Sequence, residues 1–349
     1  MRRNSQRNGS APAEPTMKEV AKQAGVALSS VSRVINGHPD VSDEMRHRVL
    51  EAVQALGYEP NLVASSLRRG STTTVGFIVA DISNPLFAEF SKGAASTLDQ
   101  AGYSMVLANS ESNPERDEQM ARLFRWRRVD GVIMSLTDQE RKETVEELLR
   151  LEVPIVLFDR EVPGLPRASM VTADHAGGMR KATDHLLDLG HRRIALITGQ
   201  RRLRPTQERL KGFTEAFKAR KLSHPKDLLR LGSFDASFGA AVIAELLEQE
   251  SPPTAIISGS NQLLVGVLRA LRRSGLRVGR DIALISCDDV PLAELHDPPI
   301  TIVYRDTVRM GELAAEMLLE LIRDESAHPR VATVPTELIV RQSTFPLRT

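Results

Sequence analysis

From Thr74 onward the chain carries short apolar runs, TVGFIVA, YSMVLANS, DGVIMS and PIVLF, separated by helical patterns near 86–100, 114–127 and 139–151. A strand buried on both faces reads as a continuous apolar run, and alternation of such runs with amphipathic helices predicts an open, doubly wound parallel sheet. A second series follows, RRIALITG, LLRLGS, TAIISGS and DIALIS, alternating with helices near 177–189, 206–219, 236–249 and 263–274. The expected fold is therefore α/β, with two similar doubly wound halves and a cleft between them.

A different pattern precedes these halves. Thr16 and Glu19 have the spacing of a capping box, so a first helix is expected to start near Met17, with Met17, Val20, Ala21 and Ala24 on its buried face. Gly25 then supplies the permissive backbone of a tight turn. Val31, Val34 and Ile35 give a second helix its inner face, leaving Leu28, Ser29, Ser32 and Arg33 outside, and Asn36 with Gly37 ends it. Ser42 caps a third helix, whose Met45, Val49, Val53 and Leu56 complete a small three-helix core. The exposed side of the second helix is short and polar, as groove reading requires.

The motifs V-A-K-Q-A-G-V, S-S-V-S-R-V-I-N-G, V-S-D-E and L-G-Y-E-P-N resemble the lac repressor family of bacterial transcription regulators, and the resemblance covers nearly all of residues 16–344. It implies a helix-turn-helix head over 16–60 that binds operator DNA. It also implies a hinge helix over 61–70, and an effector-binding, dimerising, periplasmic-binding-protein-like core over 71–349. The chain is expected to cross between the core halves three times, so that the first comprises about 71–170 and 292–326 and the second about 171–291 and 327–345. In such a head the second helix lies in the major groove. DNA contacts are thereby assigned to Thr16, Leu28, Ser29, Ser32, Arg33 and Asn36. Arg33 can present its fork of donors to guanine O6 and N7, with a phosphate contact as the rival reading. In the hinge, Asn61, Ala64, Leu67 and Arg68 are assigned to DNA, with Leu67 wedged into the minor groove; an unstructured linker is the alternative. Ala27 departs from the family's usual Ser.

Open α/β sheets bind ligands beyond the carboxyl ends of their strands. By that rule and by the resemblance, Asp81, Asn84, Phe87, Asp159, Arg160, Arg209, Phe234, Asn261 and Asp288 are the candidate effector residues, their carboxylates and guanidiniums gripping hydroxyls while an aromatic ring covers an apolar face. A sugar or sugar derivative suits that chemistry. Singly, Asn84 could be only a turn, Phe87 core, and Asp159 with Arg160 a structural pair. Leu86, Asn261 and Cys287 depart from the family pattern. Arg201, Arg202 and Arg204 follow RRIALIT, where they either favour an acidic or phosphorylated effector or form a solvated charged loop.

The 349 residues allow two or three packed units. Residues 1–70 hold ten Lys and Arg against seven Asp and Glu, a bias too mild to establish nucleic-acid binding alone. The single cysteine, Cys287, excludes an intramolecular disulfide and any multi-cysteine metal site. Residues 1–15 read as a disordered tail rather than a signal sequence, and no stretch approaches the roughly 20 apolar residues of a membrane span. A cytoplasmic protein is expected. Phosphate-loop, dinucleotide and nucleophile-elbow motifs are absent from the sequence, and His175, His185 and His191 read as helix caps or a solvated face rather than metal ligands. No enzyme, cofactor or metal is expected. The partners are operator DNA, a small effector and a second copy of the chain, with tetramers left open. A cytoplasmic solute sensor without repressor activity, or a corepressor-dependent regulator, is the alternative.

Overall fold

The computed structural model describes residues 15–35, 37–59, 70–165 and 167–347, which divide into two units at Thr72. The tail before residue 15, Asn36 and most of the hinge segment lie outside the described residues.

In the first unit, α1 (Met17–Ala24), α2 (Leu28–Ile35) and α3 (Asp43–Leu56) enclose Val20, Ala21, Ala24, Val31, Val34, Val49 and Ala52. Both halves of the Thr16–Glu19 capping box form, and Gly25 ends α1 in the left-handed region at φ 65°. Met17, Ile35, Met45, Val53 and Leu56 are only partly buried and ring that core. Ser42 caps α3 through the Met45 amide, at 3.4 Å. Helix α2 has no such cap. Its first turn hangs on the Ala27 carbonyl, which accepts from Ser30 at 2.9 Å and Val31 at 3.2 Å, and alanine offers the remaining amides no side-chain oxygen.

The second unit holds two six-stranded sheets. The first contains β1 (Thr74–Val79), β2 (Ser104–Asn109), β3 (Gly131–Met134), β4 (Ile155–Phe158), β5 (Ala168–Ala173) and β11 (Val331–Val334), in the order β11-β5-β4-β3-β1-β2 and parallel throughout. Its helices are α4 (Pro85–Gln100), α5 (Pro114–Arg127), α6 (Lys142–Leu149) and α12 (Thr307–Arg323). The second contains β6 (Ile194–Thr198), β7 (Leu229–Leu231), β8 (Ala255–Ser258), β9 (Ala283–Cys287), β10 (Thr301–Arg305) and β12 (Thr336–Ile339), in the order β12-β10-β9-β8-β6-β7. Only β12 runs antiparallel, against β10. Helices α7 (His175–Asp188), α8 (Arg204–Ala219), α9 (Ala236–Leu247), α10 (Asn261–Arg273) and α11 (Pro291–Leu295) belong with that sheet. The matching strand order makes β4 and β9 positional equivalents. Each half has its own apolar interior, with Phe90 stacked on Phe158 and tilted against Phe77 in the first and Phe213 against Phe217 in the second.

The subdomain limits differ from the sequence expectation. The chain does cross three times, but β10 stays in the second sheet, pairing Thr301 with Ile285 of β9, and the return comes only at Asp306, which caps α12. After α12, β11 remains in the first sheet through its pairing with β5, so the final crossing falls between Val334 and Thr336. Burial explains the placement of β10, whose Ile302 is fully enclosed in the second half's interior. The exposed, weakly apolar start of β11 gave no comparable signal. Close packing of α4 on α12 needs glycine at the crossing, because a Cβ on Gly93 or Gly311 would stand 2.0 Å from the carbonyl oxygen of Val308 or Phe90.

Candidate functional site

The strands of both sheets point their carboxyl ends at a shared cleft of about 280 Å³, close to the lower end of the range for small-molecule sites. Asp81, Asn84, Phe87, Asp159, Arg160, Arg209, Phe234 and Asp288 all line it. They arrive by the same rule on both sides. Asp81 follows β1 and Asn84 caps α4; Asp159 and Arg160 follow β4; Arg209 projects from α8, Phe234 follows β7, and Asp288 follows β9.

Contrary to the sequence expectation, Asn261 does not line the cleft. As the first residue of α10 it is buried, and its Nδ2 donates to Asn84 Oδ1 at 2.8 Å, joining the two halves. Its neighbour Gln262 faces the cleft instead and donates to Asp81 Oδ2, also at 2.8 Å. Of the two readings of the loop arginines, the one that puts them against the ligand is not met. Arg202 pairs with Asp138 at 3.2 Å and Arg204 pairs with Glu161, so both hold carboxylates of the opposite half, and none of Arg201, Arg202 and Arg204 lines the cleft.

At the back of the cleft lies a residue not anticipated from sequence, Arg305 at the end of β10. Its Nε donates to Asp288 at 2.8 Å and its Nη1 donates to Asp159. Asp159 also accepts from His175 Nε2 at 2.9 Å and Thr172 Oγ1 at 3.0 Å. Burial alone would raise the Asp159 carboxyl, but His175 and Arg305 hold it well below the usual carboxylate range. Burial also lowers His175, against the pull of Asp159, and because a carboxylate only accepts, Nε2 is the donor in that contact. The same balance raises Arg305: burial opposes its charge, and Asp288 and Asp159 outweigh burial. Arg305 was findable, since it follows an apolar strand, TIVYR, but the expected assignment of that strand to the first half hid it.

The three histidines are not a solvated face. His175 is in the cleft network, His191 sits between Thr254 Oγ1 at 2.9 Å and the Phe345 carbonyl at 3.0 Å, and His185 meets Thr344 at 2.9 Å. Among the described residues no group of His, Cys, Asp and Glu could hold a metal ion.

Apolar cover comes from Phe87, Phe158 and Phe234, with Leu86, Leu203 and Pro205 beside them. Phe87 meets Phe158 edge-on at 6.0 Å, and the Arg209 guanidinium lies 5.8 Å from the centre of the Phe234 ring. An aromatic wall facing fixed charges suits a small molecule with one apolar face and several polar groups.

In the head, Leu28, Ser29 and Arg33 share the exposed side of α2, Ser32 is half-buried, and Thr16 is occupied as the α1 cap. Asn36, Asn61, Ala64, Leu67 and Arg68 lie outside the described residues.

A three-helix helix-turn-helix unit in one chain with a two-sheet, ligand-sized cleft defines a ligand-responsive DNA-binding regulator. Residues 16–61 match the model of bacterial regulatory proteins, lacI family, and residues 183–344 match that of the periplasmic binding protein-like domain. The chain belongs to the lacI family of bacterial regulatory proteins. It is 36% identical over 337 residues to the HTH-type transcriptional regulator CelR of Thermobifida fusca, covering 94% of this chain and 98% of that protein. Among solved structures it is similar to a transcriptional regulator CelR–cellobiose complex, at 34% identity and TM-score 0.72, covering 95% of this chain and all of the other. It is also similar to the lac repressor dimer bound to operator and an anti-inducer, at 26% identity and TM-score 0.83, covering 95% of this chain and 99% of the other.

Proposed function

We propose that this regulator is a homodimeric repressor that leaves its operator when a small sugar or sugar derivative occupies the cleft. Leu28, Ser29, Ser32, Arg33 and Asn36 read one half-site of a pseudo-palindromic operator, with Thr16 at the edge of the contact. Residues 61–70 act as the hinge, through Asn61, Ala64, Leu67 and Arg68. The cleft residues Asp81, Asn84, Phe87, Arg160, Arg209, Phe234 and Asp288 hold the ligand. Asp159 acts through its hold on Arg305, and Asn261 through Asn84. The protein works in the cytoplasm and performs no catalysis.

The observation that carries the reading is that Asn261–Asn84 and Gln262–Asp81 bond the two halves across the cleft, within reach of any occupant. A ligand that competes for Asn84 or Asp81 changes the relative placement of the halves, and only such a differential contact can couple occupancy to another site. The cellobiose in the CelR structure supports a sugar-sized ligand. The test is a thermal-unfolding screen of sugars and sugar acids followed by operator titration with each stabilising compound. A stabilising compound that weakens operator binding is the expected result; one that tightens it would make the ligand a corepressor and overturn release.

A further inference from the structure

We infer that the outer side of the second half carries a separate anion site, outside the cleft, that takes a small phosphorylated compound. Between α8 and the edge strand β7 lies an open hollow of about 580 Å³ that shares no lining residue with the cleft. The two are nonetheless built from the same three segments. Gln200, Arg209 and Gly232 line the cleft, and their chain neighbours Arg201, Leu210 and Leu231 line the hollow.

Arg201, Lys226 and Arg230 line the hollow, and no carboxylate does among the described residues. Arg201 and Lys226 are exposed, and neither side chain has an ion pair or hydrogen bond among the described residues. Arg230 is partly spent. Its Nε lies 3.7 Å from Glu245, and its Nη1 donates to the Asp227 carbonyl at 2.6 Å and the Leu229 carbonyl at 3.1 Å. The Asp227 carboxylate, next to Lys226 in the chain, is taken by Arg193 at 2.8 Å. His224 also lines the hollow, and its buried Nδ1 has no hydrogen-bond partner. Burial and the neighbouring Lys226 charge hold its ring below the usual imidazole range.

Like charges gathered round one hollow repel each other, and an anion between them reverses the sign of that interaction. Water and salt screen exposed cations, so charge alone gives weak binding and the class of ligand follows from the shape. The cations come from separate segments: the loop after β6, the single 3-10 turn Lys226–Leu228, and β7 itself. A phosphoryl group offers three strong acceptor oxygens to such a set, where a carboxylate offers two. Leu210, Leu229 and Leu231 form an apolar wall beside the charges, so the remainder of the ligand has an apolar edge. An added peptide strand fits poorly, because β7 has only three residues and Arg230 covers its Leu229 carbonyl.

The test uses the full chain with inorganic phosphate and propyl phosphate, at an ionic strength held constant with sodium chloride. Titration calorimetry of phosphate into the wild type should show a saturable site that the Arg201→Gln/Lys226→Gln double variant weakens about tenfold or more, the loss expected for hydrogen bonds to a charged group. Both side chains are exposed, so in chloride alone the variant should melt with the wild type. The His224 ring proton resonances, identified by their loss in His224→Gln, should shift with the same midpoint. Propyl phosphate should bind more tightly than phosphate, by up to about fourfold for each methylene that the leucines bury. No saturable binding, equal affinity in the wild type and the double variant, or an unmoved His224 signal overturns the site. Propyl phosphate binding no tighter than phosphate overturns the class of ligand. Neither operator nor cleft ligand enters these titrations, so failure here leaves the regulator reading standing.

Discussion

Asp159 and Asp288 end the equivalent strands β4 and β9 of the two sheets, both in the left-handed region at φ 53° and 68°, and both close on the same guanidinium, Arg305. Left-handed backbone is uncommon outside glycine, and aspartate is among the residues that tolerate it best. The two turns thus present carboxylates from opposite halves to one cation. Arg305→Ala should destabilise the protein by about 3–5 kcal/mol, because it leaves two buried carboxylates facing each other. Adding Asp159→Asn and Asp288→Asn should recover part of that loss. Chemical denaturation of the three proteins measures it.

His175 makes the same network sensitive to acid. Its folded-state affinity for a proton is lowered by burial, so below about 6.5 the unfolded chain binds more protons than the folded one. Stability should therefore fall as pH drops from 7.5 towards 5. His175→Gln should flatten part of the slope, the rest belonging to His185, His191 and His224, which burial also lowers. Asp159 works in the same direction, in a lower pH window. Its stabilising contribution is complete above about 3.9 and disappears only as pH falls further, towards its depressed folded value. Unfolding free energies across that pH range check both windows.

Ala27 leaves the start of α2 without a side-chain cap. Ala27→Ser should stabilise the head by roughly 0.5–2 kcal/mol by giving the first-turn amides an acceptor. Thermal unfolding followed by the head's helical signal reads this directly, and no gain would mean that α2 starts elsewhere.

Arg33 is exposed on the outer side of α2. Arg33→Ala should cost about 1–3 kcal/mol on the operator and relax specificity at one base pair. A loss spread evenly over all sequences would make it a phosphate contact. If residues 61–70 act as the proposed hinge, Leu67→Ala should weaken operator binding more than binding to unrelated DNA, because losing a minor-groove wedge spares phosphate contacts. Competition titrations with single-base operator variants distinguish these outcomes.

The head and the cleft lining were largely legible because each signal is local. Thr16 with Glu19, Gly25 and Ser42 are short-range instructions, and residues just past an apolar run must face the open end of a parallel sheet. What escaped depended on partners distant in sequence. Arg305 makes sense only once Asp159, 146 residues away, stands opposite it. Asn261 has the right position for the cleft but turns to Asn84, 177 residues away, and leaves Gln262 in its place. His191 lies in a polar run, yet Thr254 and Phe345 bury it. The crossing limits failed for the same reason, because β11 is held by β5 rather than by its own apolar content.

The central claim, operator binding conditional on the cleft, is tested most directly by fluorescence anisotropy. The full chain is titrated on a palindromic fragment from upstream of its own reading frame, with and without a compound that raises its melting temperature. Specific binding that the compound weakens by about 5- to 150-fold is predicted. Affinity equal to that for a scrambled fragment at low salt, or unchanged at saturating compound, would contradict it.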